Sequence, residues 1–302
     1  MRPIRFRATT SLNLERLASV LTADPQHPHI HTVDMPYRLT STWQDQGCEV
    51  GMWEQGDALL AWAVYQPPWW NLDYAIMPSE RGSSLERELL AWGQAQMLDY
   101  GARTGEEFWG AVELFEDTPN AASTIEHLES LGFREFDWSI VRFSISLDRD
   151  IPEPEMPEDY TVRPLRGRTE VDRYVALHRA AFGSERMTVP WRLRTLTHPA
   201  YRPEIDLVVA NAADDPVGFC ICWIRGDVGQ IEPLGVHPDY KGKGLGRALE
   251  QAALRMMRSH GVRTLLVDHV SLNEKAIGLS LQTGFKQINN AHRFYIDVDG
   301  GS

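Results

Sequence analysis

The sequence predicts a mixed α/β (α+β) fold built twice in tandem, each half a mostly antiparallel sheet flanked by helices. Three observations carry this expectation. The chain has 302 residues, 43% hydrophobic and 24% charged, which suits two globular domains of about 150 residues each. Residues 77–89 (MPSERGSSLEREL) and 237–249 (HPDYKGKGLGRAL) align without a gap, with Pro78 over Pro238, Gly82 over Gly242, Leu85 over Leu245 and Arg87 over Arg247. Between them, residues 148–159 (DRDIPEPEMPED) place Pro152, Pro154 and Pro157 among acidic residues, a density that favours extended backbone over helix or central strand. The expected organisation is therefore a domain over 1–147, a linker over 148–159 and a domain over 160–302.

The elements follow the same order on both sides of the linker. The first half offers strand RPIRFR, a helix over 11–22, strands CEVGMWE, ALLAWAVYQ and NLDYAIM, and a helix over 83–100. Strand FWGAVEL, a helix over 120–131, and strands FREF and SIVRFSISL follow. The second half opens with strand YTVRPL and a helix over 169–182 with Val171, Tyr174, Val175, Leu177 and His178 on one face, the spacing of an amphipathic helix. A short helix over 190–197 precedes a meander of IDLVVA, VGFCICWIR and QIEPLGV, divided by the turn signals AADDP and GDVG. A glycine-rich turn leads into a helix over about 244–260, with Leu245, Leu249, Ala252 and Met256 toward the sheet. Strand RTLLVDHV, a helix over 273–284 and a closing pair of strands, FKQI and HRFYIDV, complete the half.

Composition excludes several classes. No apolar run approaches the ~20 residues needed to span a bilayer, and MRPIRFRATT has no apolar secretory core; no membrane partner is expected. The three cysteines, Cys48, Cys220 and Cys222, form no disulfide framework and point to a reducing cytoplasm. Cys220 and Cys222 fall on one face of a strand and read as small buried side chains, so no metal site is expected. The net charge of −12 resides wholly in residues 1–150, with 23 acidic residues against 11 arginines; residues 151–302 balance at 19 and 19. All four lysines, Lys241, Lys243, Lys275 and Lys286, lie in the second half. There is no general basic footprint for nucleic acid, and a polyanion would bind only the second half.

Strand, Lys-Gly-Lys-Gly-Leu-Gly, then helix is an anion site by construction. The first turn of a helix carries unpaired N–H groups and the positive end of the dipole. Glycines admit positive φ and close approach of a phosphate. Lys241, Lys243 and Arg247 add cations around Gly242, Gly244, Leu245 and Gly246. The spacing is neither a Walker loop nor a dinucleotide fingerprint.

VHPDYKGKGLGRAL, followed by Asn273-x-x-Ala276-Ile277 and Thr283-Gly284-Phe285, resembles the GCN5-related N-acetyltransferase family. Lys241 to Gly246 match its acyl-CoA loop, [QR]-x-x-G-x-[GA], with Lys in place of Gln or Arg. The resemblance is strong over 160–298 and weak over 3–147. It implies two tandem GNAT-like domains, with the cofactor diphosphate on the loop amides and pantetheine beside Leu234, Gly235 and Val236. It also implies a cofactor contact from Asn273. The tandem layout is similar to that of mycothiol synthase-like acetyltransferases, in which the C-terminal copy works. In the first half Ser84 and Glu86 stand where Gly244 and Gly246 stand. A carboxylate there would repel a diphosphate, so that copy is expected to be degenerate.

The resemblance further implies acetyl transfer from acetyl-CoA to an amine, with Glu232 as base. Half-burial beside Ile231 and Leu234 would raise a carboxylate pKa toward the working range. Pro233 cannot donate a ladder hydrogen bond and suits a bulge or splayed strand, freeing the Val236 amide for the thioester carbonyl. The position where many relatives carry a tyrosine acid is Ser280. The thiolate leaves unassisted, or Ser280 acts through solvent; Asp268 and His269 are the next candidates. The acceptor pocket is expected from residues 183–201 and strand ends near Trp223. The leading reading is an N-acetyltransferase taking a CoA thioester and a small amine, monomeric or homodimeric. The alternatives are a non-catalytic acyl-CoA sensor or scaffold and a protein N-acetyltransferase.

Overall fold

A computed structural model describes residues 3–299. In chain order the elements are β1 (Arg5–Thr9), α1 (Leu14–Leu21), α2 (Met35–Leu39), β2 (Val50–Gln55), β3 (Ala58–Gln66), β4 (Asn71–Ile76), α3 (Ser84–Thr104), β5 (Phe108–Phe115), α4 (Ala121–Ser130), β6 (Arg134–Glu135) and β7 (Ile140–Ser146). There follow β8 (Thr161–Pro164), α5 (Val171–Phe182), α6 (Val189–Thr197), β9 (Asp206–Ala210), β10 (Pro216–Arg225), β11 (Val228–Val236), α7 (Leu245–Ser259), β12 (Thr264–Val270), α8 (Glu274–Thr283) and β13 (Lys286–Val298). The expected helices and strands are present within a few residues of their expected ends, and Arg2 of the first expected strand lies outside the described residues.

The chain forms two compact units that do not coincide with the two halves of the sequence. The first comprises the chain up to Thr32, Trp43–Ile140 and the residues from Asn289 on; the second comprises Val33–Thr42 and Val141–Ile288. Strand order in the first is β1-β2-β3-β4-β5-β13, with β6 on β13, and in the second β7-β12-β11-β10-β9-β8. Each unit thus takes its last strand from the other half of the sequence. The segment expected as a linker folds onto α7 instead of standing free. Ile151 is buried, its carbonyl accepts from Arg255, and the Arg149 carbonyl accepts from Arg258.

Two sequence expectations are corrected. FKQI and HRFYIDV are one continuous strand, β13, not a pair. Ala291, between them, is fully buried and sits opposite Phe115, so the asparagines before it continue the ladder instead of turning. On α7 the buried seam drifts with the 3.6-residue period: Leu245, Leu249, Ala253 and Met257 are buried, and Ala252 and Met256 pack partly buried beside them. Those side chains meet Phe143, Ile145, Cys220, Cys222, Leu265 and Val267 in one core, each large apolar group contributing about 1.5–3 kcal/mol on burial. The buried face of α5 is the one expected, Val171, Tyr174, Val175, Leu177 and His178.

Candidate active site

The candidate site is built where β11 leaves its neighbours. Its parallel rungs to β12 run from Val228 opposite Thr264 to Ile231 opposite Val267. β11 then continues to Val236 and β12 to Val270 with no further described rung. On the other side, Cys222 faces Ile231 and Cys220 faces Leu234. Glu232 and Pro233 therefore share the place opposite Ile221, a bulge where Pro233 has no amide proton to give. The parting of β11 and β12 leaves Glu232 on one lip and Asp268 and His269 on the other. At Gly235 a Cβ would come within 2.6 Å of the Phe219 ring, so glycine is required for packing there.

Beyond Val236 a short turn over Pro238–Tyr240 leads into the glycine loop. Gly242 and Gly244 have φ of 79° and 80°, conformations that L side chains rarely adopt, and a Cβ on either would meet nothing within 4 Å. Gly244 is the N-cap of α7 and offers no side-chain hydrogen bond, so its first-turn amides lack that cap. At Gly246 a Cβ would make only ordinary contacts, with Leu279 at 3.5 Å and Val236 at 3.9 Å; the protein's own packing does not demand glycine there. Lys241, Lys243 and Arg247 are exposed around the loop, and the Lys243 ammonium donates to the Tyr160 hydroxyl at 3.2 Å. Asn273 caps α8, its side chain accepting from the Ala276 amide at 3.2 Å.

The first unit treats the matching turn differently. Ser83 caps α3 by accepting from the Leu85 amide at 3.0 Å. Glu86, buried, accepts from the Gly82 amide at 2.6 Å and from the Thr124 hydroxyl at 3.2 Å. A cavity of about 50 Å³ lined by Asp24, Tyr74, Arg81, Glu86 and Glu113 remains beside it, room for little more than water.

Glu232 is half-buried, and its backbone carbonyl accepts from the Trp223 indole at 2.8 Å. Near it stands a cluster with one member, Tyr37, that sequence reasoning missed. Tyr37 on α2 is buried, with its hydroxyl 3.4 Å from His178 Nε2 and its ring 5.2 Å from Trp191 and 6.2 Å from Trp223. Burial above all, with the Glu232 carboxylate adding, holds the Tyr37 and Tyr174 hydroxyls well above the usual tyrosine range. The Arg192 guanidinium lies 3.9 Å from the centre of the Tyr174 ring. It is paired with Asp206, both fully buried, and Tyr201 donates to Asp206 at 2.6 Å. Burial, with Arg192 adding, drives His178 down to a pKa of about 3, so it is neutral at ordinary pH. Trp191, Met187 and Trp223, expected near a pocket, are buried at this place. No local signal announced Tyr37: it arrives on a five-residue helix from the opposite half of the sequence.

On the other lip the two residues of β12 point apart. Asp268 takes both arms of Arg142, at 2.8 and 2.6 Å, and the Gln230 amide at 3.1 Å. His269 turns toward the helices, its Nε2 2.9 Å from the Ser280 hydroxyl. Ser280 is fully buried and bonds Glu250 of α7 at 2.8 Å, and Thr283 bonds the other Glu250 oxygen. Of the residues named from sequence, the structure thus brings Ser280 and His269 into contact and adds Glu250, while Glu232 stands across the parting. Burial pushes the Glu250 carboxyl up and His269 down, Asp268 partly opposing the latter. Among the described residues no His, Cys, Asp and Glu cluster could hold a metal, no helix is long and apolar enough to cross a membrane, and all three cysteines are free and buried.

The Acetyltransferase (GNAT) family profile matches residues 172–285, the stretch holding both lips, the glycine loop and α8. A mycothiol acetyltransferase of Thermobispora bispora is 29% identical over 245 residues, spanning 76% of this chain and 77% of that protein. One from Rhodococcus jostii is 27% identical over 261 residues, spanning 80% and 79%. Among solved structures, a GCN5-related N-acetyltransferase from Sphaerobacter thermophilus superposes with a TM-score of 0.69 at 21% identity, over 100% of this chain and 98% of its own. A tandem GNAT protein from the clavulanic acid biosynthesis pathway does so with a TM-score of 0.67 at 13% identity, over 99% of each. The glycine loop and the parted strands lie within the stretch that the GNAT family profile matches; over about three quarters of its length the chain is similar to mycothiol acetyltransferases, and its doubled fold is that of tandem GNAT proteins.

Proposed function

We propose that the second unit transfers an acetyl group from acetyl-CoA to the amine of a small molecule, in the cytoplasm, and that the first unit has no cofactor site. The observation that carries this reading is the parting of β11 from β12 with Glu232 at its lip and the uncapped glycine loop at its end. The site suits the cofactor on its own terms: two positive-φ glycines face open space, and a third has room for a Cβ that the protein does not use. The amides from Gly242 to Gly246, with Lys241, Lys243 and Arg247, would hold the diphosphate. Leu234, Gly235 and Val236 would pair with pantetheine, and Asn273 would border it.

Acetyl-CoA supplies the acetyl group and a thiol leaving group. Glu232 takes the proton that the amine must lose as it attacks the carbonyl. The Val236 amide donates to the oxygen on which charge develops. Tyr37, Tyr174, Trp191 and Trp223 wall the acceptor side with buried aromatic rings. Buried rings on that side suit a compact amine better than a protein chain, and mycothiol acetyltransferases are proteins similar to this one over most of its length.

The test is release of free CoA from acetyl-CoA across a panel of small primary amines, with a lysine peptide alongside. Wild-type protein should turn over at least one small amine. Glu232→Gln should lower that rate by about 10²–10⁴-fold at neutral pH with CoA affinity unchanged, and the defect should shrink as rising pH deprotonates the amine. No release with any amine would leave a CoA-binding sensor as the reading; release with the peptide alone would make this a protein acetyltransferase.

A further inference from the structure

Glu250 is a buried acid without a cation. Its relative exposure is 2%, and among the described ion pairs no lysine, arginine or histidine meets it. Three other buried or nearly buried carboxylates of this unit are paired: Asp206 with Arg192, Glu170 with Arg163, Asp268 with Arg142. Its two oxygens face only hydroxyls, Ser280 at 2.8 Å and Thr283. Thr283 has one hydroxyl proton and a second acceptor, the Leu279 carbonyl at 3.1 Å. An unpaired carboxylate in such a place is costly, and the usual relief is to keep its proton.

From Glu250 the hydrogen bonds lead outward. Ser280 passes the contact to His269 Nε2 at 2.9 Å. His269 is the second residue of β12 past the last rung with β11, on the lip facing Glu232. Its ring is half-buried and lies 5.6 Å from the ring of Phe143 on β7. The titratable groups around it are Asp268, neutralised by Arg142 of β7, and Glu250 of α7 through Ser280 of α8.

We propose that Glu250, Ser280 and His269 form a proton relay serving the thiol side of the transfer, with His269 the donor and Glu250 a positioning residue acting through Ser280. The proposal rests on the acetyl-transfer reading above. With Glu250 protonated, its O–H donates to Ser280, the Ser280 O–H donates to Nε2, and His269 is left with its proton on Nδ1. As the carbon–sulfur bond breaks and its electron pair passes to sulfur, His269 gives the Nδ1 proton to sulfur. Ser280 passes its proton to Nε2, and Glu250 passes its own to Ser280. The negative charge ends on Glu250, which regains a proton from water through the same chain. A buried serine, too short and too enclosed to reach a substrate itself, thereby links two groups that can move a proton.

The first readout needs no substrate. Nitrogen-15 NMR of the full chain labelled at histidine, with His269→Asn to assign the signal, should show His269 neutral at pH 7 with its proton on Nδ1. Glu250→Gln, whose amide still donates to Ser280, should keep that tautomer, and Glu250→Leu should lose it. The second readout is CoA release with the best amine of the panel. His269→Asn should lower it about 10²-fold and Glu250→Gln about tenfold, with CoA affinity and melting temperature near wild type. The Nε2–H tautomer, or an imidazolium, at pH 7 overturns the relay. So does a His269→Asn protein that turns over as wild type does. Wild-type protein that releases no CoA with any amine overturns the transfer reading first, and the relay with it.

Discussion

The Glu86 carboxylate accepts the Gly82 amide at 2.6 Å, so the first unit's glycine turn is closed by its own helix. In the second unit Gly246 stands at the matching position, and α7 begins without a side-chain cap. The two copies share a strand, a turn and a helix. They differ in whether the protein supplies a side-chain acceptor at the helix N-terminus.

Removing the internal anion should cost stability and not create a cofactor site. Glu86→Ala leaves the half-buried Gly82 amide without its acceptor and the Thr124 hydroxyl with only the Asn120 carbonyl at 3.4 Å. The expected loss is about 1–3 kcal/mol, read as a lower melting temperature, with CoA stoichiometry unchanged. A variant as stable as wild type would mean that water serves the Gly82 amide equally well.

A carboxylate introduced at the N-cap of α7 should close the second loop. Gly244→Glu puts a carboxylate at the α7 N-terminus at a residue whose φ is 80°. Lost amide contacts, strain and like-charge repulsion together should weaken CoA binding by about 2–4 kcal/mol. Calorimetry giving an unchanged affinity would remove the loop from the cofactor site.

The outline of the fold and the glycine loop before α7 were legible because both are local. Strand alternation, proline density and a Gly-Lys turn before an apolar helix each fit within a dozen residues. The place of Glu232 on β11 was legible for the same reason, as the one acid in QIEPLGV. Tyr37 was not, because its place beside His178 depends on a chain path across 141 residues. The exchanged closing strands escaped for that reason too: β7 read as one strand and β13 as two, and pairing partners have no local signature. Glu250 sits on a helix among buried apolar neighbours, where an acid reads as a solvated face. Only its contacts with Ser280 and Thr283 give it a role.

Acid should find the acceptor cluster first. His178 is held at a pKa of about 3 in the folded protein, against about 6.5 in an unfolded chain. Between those values the unfolded state binds the extra proton, so stability falls as pH drops from about 6.5 toward 3 and is indifferent to this group above that window. His178→Phe keeps a ring against Phe219, which now stacks at 5.4 Å, and removes the titration. Its melting temperature should fall less than that of wild type between pH 7 and pH 4. Parallel pH curves for the two proteins would place the acid sensitivity elsewhere.

One working cofactor site per chain, in the second unit, is checked by titrating the 302-residue chain with CoA in a calorimeter. One CoA per chain is the predicted result, lost in Gly244→Glu and kept in Glu86→Ala. Saturation at two per chain, or no binding by wild-type protein, would contradict it.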